Sequence, residues 1–258
     1  MVPGESLQQV SGNFNCMHFI EKYFWVFSVC LLPVLYLIVA SAFYLVFYIW
    51  KKGEYSKSKI QSDVLHRFQL RRELVYGFIS LVIFAITGFC VFLLYRYKIS
   101  SIYLDINHYG LLYFFLSVVL MIFFHDMYFY WTHRLLHLPG WYQKVHSIHH
   151  LSSNPSPFTS LSFHPIESLI QALVLPLMVV IIPSHPFAIF FFLVYMVYKN
   201  VRGHAGYEFT TSARRENKWN KVHSYSIHHN LHHLYGRANY GLYFTLWDRM
   251  MRTFRKGE

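Results

Sequence analysis

The chain carries 17 histidines in 258 residues, and most of them fall into three short spaced sets. His133 and His137 stand four apart in H-R-L-L-H. His146, His149 and His150 form H-S-I-H-H. His229, His232 and His233 form H-N-L-H-H, the same H-x-x-H-H spacing. On a helix, residues three or four apart share a face. An i, i+4 pair or an i, i+3 pair of imidazoles can therefore share a metal, while the adjacent histidine turns toward a neighbouring one. Four imidazoles together, as in H-H-N-L-H-H at 228–233, are costly to bury without partners. Eight rings exceed the four ligands of a single zinc. They suit two metals, each with three or more nitrogen ligands and a position left for a small molecule. A lone i, i+4 pair is usually a solvated helix face; two identical triplets beside it are not.

The metal is left open by the ligands, since iron, zinc, copper and nickel all accept imidazole. H-E-x-x-H and G-x-x-x-x-G-K-[ST] are both absent, which removes the usual zinc-protease and phosphate-loop arrangements. Cys16, Cys30 and Cys90 are scattered, so neither a disulfide framework nor a cysteine metal site is expected.

The elements that must position these rings are membrane helices. Apolar residues make up 55% and charged residues 14%, against roughly 25% charged in a soluble domain. Apolar runs at Tyr23–Trp50, Glu73–Tyr95 and Leu111–Trp131 are each long enough to cross a bilayer. The first is too long for a signal peptide and reads as a retained anchor. Two further runs, Leu169–Ile182 and Phe187–Asn200, are interrupted by P-S-H-P. Each is about 14 residues, or roughly 21 Å of helix, which predicts a membrane hairpin or two tilted spans. The net charge of +11 suits anionic lipid better than nucleic acid, and no nucleic-acid partner is expected. Lys51, Lys52, Lys57, Lys59, Arg67, Arg71 and Arg72 place the first loop in the cytoplasm. The hairpin returns the chain to the side it left, so both histidine-rich segments share the cytoplasmic face. The expected fold is an all-α integral membrane protein. It has about three spans plus a membrane hairpin, four to five apolar helices in all, and a cytoplasmic, helical, His-rich di-metal cap.

The combination H-x-x-x-H, H-x-x-H-H, H-x-x-H-H in a small multi-span chain resembles the fatty acid hydroxylase/sterol desaturase superfamily. H-D-M-Y-F-Y-W-T-H-R-L-L-H at 125–137 is similar to the family's first box. H-S-I-H-H-L-S-S-N-P-S-P-F-T-S-L-S-F-H-P-I-E at 146–167 is similar to its second box and His-Pro element. G-H-A-G-Y-E at 203–208 and the stretch 228–253 resemble its closing half. P-S-P-F-T-S-L-S-F-H-P and N-Y-G-L-Y-F-T-L-W-D-R are nearest to sterol C5-desaturases. The resemblance covers about 111–253, and divides the chain into membrane anchor helices with a basic loop (1–110) and a catalytic region (111–258).

What the resemblance implies is a membrane-bound centre of two iron ions that uses O2 to desaturate or hydroxylate a C–H bond of a lipid, sterol-like or fatty-acyl. The ligands it implies are His133, His137, His146, His149, His150, His229, His232 and His233, with His204 as a ninth. His164, in the His-Pro element, and His228 are read as ligands or orienting neighbours. His125, with Asp126, is read as a partner of a ligand or as an ordinary helix-end histidine. Asp126, Glu167, Glu208 and Asp248 are the acidic residues nearest the boxes and are expected to orient His or Arg. His18, His66, His108 and His185 match no box. No G-x-G-x-x-G and no His-Pro-Gly-Gly haem signature occurs, so a separate electron donor is implied, cytochrome b5 or a ferredoxin with its reductase. Arg214, Arg215, Lys218 and Lys221 could dock it. Lacking a recognisable retrieval signal, the chain is expected in a bacterial inner membrane rather than the endoplasmic reticulum. The alternatives are a zinc-dependent membrane enzyme and a metal-binding or transport protein.

Overall fold

The computed structural model describes residues 7–61 and 65–257, with side chains from residue 22 onward. Cys16 and His18 fall outside the described side chains. Ten α-helices make up the described chain: α1 (Leu7–Tyr44), α2 (Arg67–Arg96), α3 (Gly110–Leu136), α4 (Ser147–His150), α5 (Pro165–Ala172), α6 (Val174–Ile181), α7 (Pro186–His204), α8 (Ser212–Glu216), α9 (Ser226–Tyr235) and α10 (Leu246–Met250). Among the described residues there is no β-strand, only isolated bridges.

Lys22–Trp50, Arg67–Arg96 and Gly110–Leu136 are long and apolar enough to cross a membrane. Their outward faces carry exposed Leu37, Ile38, Phe78, Ile86, Leu112 and Phe115, as lipid-facing positions should. Helices buried in lipid gain little from hiding apolar surface against one another, so close packing holds them. Gly88 of α2 shows how close. A Cβ there would collide with the Ser28 carbonyl of α1.

The two shorter apolar runs become α5 with α6, and α7. The second extends further than its apolar letters suggest, to His204. Val201, Arg202, Gly203 and His204 continue the helix past Asn200, and the chain bends only at Ala205 and Gly206. Both α5 and α7 start the same way. His164 and His185 cap them, each Nδ1 accepting the backbone N–H two residues on. Pro165 and Pro186 follow at the first helical position, where a missing N–H is not needed. The core between α1, α2, α3, α6 and α7 is built on Leu32, Val91, Met121, Met178 and Phe192. The polar cap of α4, α8, α9 and α10 sits at the end where α3 and α7 finish.

Candidate metal centre

Four segments deliver nine imidazoles to one place. The last turn of α3 supplies His133, and His137 follows as its C-cap. A π-turn, Tyr142–His146, leads into α4 and supplies His146, His149 and His150. The last residue of α7 is His204. Helix α9 supplies His229, His232 and His233, and ends at Gly236 in the left-handed conformation (φ 65°), the usual helix stop. The nitrogens sort into two groups. One is His133, His137, His146, His150 and His232; the other is His149, His204, His229 and His233. Within each, one ring nitrogen per residue lies within 4.8 Å of the rest. The groups adjoin. His150 and His233 ring centroids are 4.9 Å apart, and those of His229 and His232 are 5.5 Å apart.

The sharing differs in one respect from the expected pattern. In both triplets the i, i+4 histidines stay in one group, His146 with His150 and His229 with His233. The middle histidine, His149 or His232, crosses to the other. Four residues advance a helix by 400°, three by only 300°. The i, i+4 rings are therefore the better aligned, and the i, i+3 ring diverges enough to reach a neighbouring centre.

The tautomers follow from the outer partners. Nδ1 donates to a carbonyl oxygen in His133 (Tyr240, 2.9 Å), His204 (Asn200, 2.8 Å), His232 (Ala238, 2.8 Å) and His149 (Ser162, 3.4 Å). In His146 it donates to the Glu167 carboxylate, 2.7 Å away. With the proton fixed on Nδ1, Nε2 presents a lone pair. Yet the Nε2 atoms of His133 and His146 are 3.1 Å apart, and those of His149 and His204 are 3.3 Å apart. Two lone pairs at that distance repel; a cation between them turns the repulsion into coordination. His233 adds two buried ring nitrogens with no partner among the described residues. The residues fit two metal ions of the imidazole-preferring kind, and the outer partners are those that orient ligating histidines.

Burial pushes the imidazoles toward their neutral form. It is the largest cause at His137, His146, His149, His229, His232 and His233, with neighbouring histidines adding to it. His150 is lowered to about 3 for the same reasons. A neutral imidazole is the form a metal binds.

The other candidate residues stand outside both groups. His125 shares a hydrogen bond with the Tyr243 hydroxyl, 2.6 Å away. Asp126 accepts the backbone N–H of Tyr243 at 2.8 Å and of Phe244 at 3.3 Å. His164 caps α5. The Nδ1 of His228 accepts the Tyr225 N–H, and its ring packs on Phe254. Of the four acidic residues, Glu167 alone bonds to a box histidine. Glu208 and Asp248 accept backbone N–H groups of the closing segment, at Thr210 and Ile227, and at Tyr240 and Gly241.

Sequence reasoning passed over Glu73. It is fully buried in α2, where it accepts from Ser152, Ser156, Thr159 and Gln69. These bonds pin the loop that leaves His150. The signal was present, since an ionisable residue inside an apolar span marks a special role.

A narrow apolar cavity runs between α1, α2, α3, α5 and α7. Its wall includes Phe129 and Phe163, whose rings lie 5.0 Å from those of His133 and His149 respectively. The cavity thus ends against both histidine groups.

Fold and site define a multi-span helical protein that sets two adjacent imidazole groups at the end of an apolar cavity. Residues 118–253 match the family model described as Fatty acid hydroxylase, and the chain belongs to that family. It is similar to lathosterol oxidase of Homo sapiens, at 33% identity over 189 residues, 72% of this chain and 62% of the relative. The mouse lathosterol oxidase is 32% identical over 203 residues, 78% and 66% of the two chains. A Delta(7)-sterol 5(6)-desaturase of Leptosphaeria maculans is 31% identical over 234 residues, 90% and 60%. The chain spans about two thirds or less of the length of these relatives. No solved structure matches it.

Proposed function

We propose that this chain is a membrane-bound oxidoreductase that uses two iron ions and O2 to desaturate or hydroxylate a C–H bond of a lipid, with a sterol as the favoured class. The observation that carries the reading is the contact between the apolar cavity and both histidine groups through Phe129 and Phe163. His133, His137, His146, His150 and His232 hold one metal; His149, His204, His229 and His233 hold the other. The irons supply O2 activation, which side chains cannot. The protein's part is to hold, orient and exclude. Tyr240, Ser162, Asn200 and Ala238 carbonyls and the Glu167 carboxylate fix the rings. Phe129 and Phe163 keep water from the cavity end and bring hydrocarbon against the centre. Sterol enters the reading from the relatives' names.

In this reading residues 111–258 are the catalytic region and 1–110 the anchor, and the centre lies on the cytoplasmic side, where the basic first loop belongs. The relatives named are eukaryotic and lend no support to a bacterial inner membrane. Each O2 consumed needs two electrons and two protons from outside. A pocket lined by Lys199, Arg202 and Arg214 with Phe47 and Phe209 offers an acidic donor protein a docking place. Lys199 and Arg202 also line a small void against His204 and His229. The test is lipid analysis of cells expressing the chain or its His149→Ala variant. Wild type is expected to yield an oxidised lipid that the variant does not. Identical profiles with every candidate lipid class supplied sink the reading.

A further inference from the structure

The cavity wall is mostly apolar, and two amides in it hold acceptors with nothing to accept. Asn200 Oδ1 and Gln171 Oε1 are buried without a hydrogen-bond partner among the described residues. Both residues line the cavity, at 7% and 6% exposure. Asn200 is not free to turn. Its Nδ2 donates to the Ser160 carbonyl at 2.9 Å, so the acceptor is what remains. Native structures rarely leave such atoms unpaired, and a protein keeps them at a cost unless a ligand satisfies them.

Their position points to which part of a ligand. Helix α7 lines the cavity from Pro186 to Val201, about 22 Å at 1.5 Å per residue. Asn200 lies at the far end of that wall, one turn before His204. Gln171 lies one turn after Glu167, which holds His146. His125 also lines the wall, one turn before Phe129 on α3. Toward Pro186 the lining on α7 is Val197, Met196, Leu193, Phe192 and Ile189. On α7 the lining is therefore polar only at Asn200, near His204, and apolar from there to Pro186.

We propose that the Asn200 and Gln171 side-chain oxygens form a hydroxyl-binding subsite that takes the O–H of an amphipathic lipid substrate. The lipid enters hydroxyl first, with its hydrocarbon along α7, and the bond to be oxidised lies within a few carbons of that hydroxyl. The inference rests on the lipid-oxidising reading and narrows it to hydroxyl-bearing lipids. A Δ7-sterol meets the requirement, since its hydroxyl carbon, C3, is two bonds from C5. A hydroxyl donates where a ketone or an ether cannot, which gives the test its contrast.

The test is equilibrium binding to the metal-loaded full chain in lipid nanodiscs, without O2 or reductant so that nothing turns over. The probes are two pairs, lathosterol with its 3-ketone and 1-octadecanol with its methyl ether. Wild type is expected to bind at least one alcohol about 3- to 10-fold more tightly than its partner, the range one net hydrogen bond gives. Gln171→Met keeps the shape, breaks no bond seen in the structure and removes the acceptor. Asn200→Leu removes the other acceptor but also releases Ser160. At least one of the two is expected to shrink the preference below twofold, with affinity for the ketone or ether kept within twofold as the sign of an intact cavity. The proposal is overturned if wild type binds neither alcohol more tightly than its partner, whether because the site holds only water or because neither pair binds. It is equally overturned if Gln171→Met and a folded Asn200→Leu both keep the full preference. A chain that prefers the alcohol yet oxidises no lipid refutes the function and leaves the subsite standing. Lipid oxidation without alcohol preference does the reverse.

Discussion

Glu73 lies in a membrane-spanning helix, far in sequence from every histidine of the two groups, and its removal is expected to loosen the centre. Its oxygens accept from Ser152 Oγ at 2.7 Å, Thr159 Oγ1 at 2.7 Å, Gln69 Nε2 at 2.8 Å and from the Ser156 hydroxyl. Ser152, Ser156 and Thr159 are each fully buried. Glu73→Ala leaves three buried hydroxyls without their acceptor, at about 1–2 kcal/mol apiece, or roughly 3–6 kcal/mol in all. For a chain of this size that corresponds to a fall in melting temperature on the order of 10 °C. The strain falls on residues 152–159, which connect His149 and His150 to Phe163 and His164. The assay is a thermal melt of purified protein in detergent, followed by metal analysis of the folded fraction. The expected result is a melt lowered by roughly 10 °C and less metal per chain. Glu73→Gln keeps one acceptor oxygen and is expected to fall between wild type and Ala. A Glu73→Ala protein that melts within about 2 °C of wild type and holds the same metal refutes the argument.

Other consequences follow from the same geometry. Glu167→Gln keeps an acceptor for His146 Nδ1 but loses the charge. It should lower metal affinity about 10- to 100-fold, read by competition with a chelator; unchanged affinity removes Glu167 from the centre. Gly88→Ala drives a methyl into the Ser28 carbonyl of α1 and should lower the melting temperature by an amount equivalent to about 1–3 kcal/mol of overpacking; an unshifted melt shows that the helices can part freely. Metal-free protein should lose stability as pH falls below about 6.5, where unfolded imidazoles take protons and the buried ones do not. His150, lowered to about 3, contributes across that whole window, and stability is fully present above it. A melting temperature that is flat from pH 7 to pH 5 argues that the cluster opens to water.

The membrane class and the three histidine sets were legible because both are local signals. A run of apolar letters states its own length. H-x-x-H-H states its own helical spacing. The division of the nine rings into two groups was not, because it depends on helix phase, on the π-turn at Tyr142–His146 and on α7 ending at His204. His125, His164 and His228 show the limit most clearly. Each has the right residue type beside a box, and each spends a ring nitrogen on a tyrosine hydroxyl or a backbone N–H instead. Only the fold distinguishes a capping imidazole from one aimed at the centre. Gln171 and Asn200 were silent for a related reason. A single amide in an apolar helix carries no spacing to recognise, and its meaning comes from the cavity it faces.

The anchor helices belong to the site as much as the histidine boxes do. The Tyr36 hydroxyl of α1 donates to the Phe158 carbonyl at 3.1 Å. Tyr48, in the turn that ends α1, donates to the Ala205 carbonyl at 3.0 Å, next to His204, and to Pro155 at 3.3 Å. Glu73 of α2 holds the same loop from the other side. The second box and the end of α7 are therefore suspended from residues 36, 48 and 73, and the cavity that meets them has α1 and α2 for two of its walls. Lipid-exposed helices gain little stability from apolar burial alone, so hydrogen bonds such as these, with those of Gln61, Arg72 and Ser80, tie the anchor to the rest. A division at residue 110 follows the sequence motifs, but a chain cut there leaves the loop after His150 without Glu73 as its acceptor and the cavity without ten of its 27 lining residues.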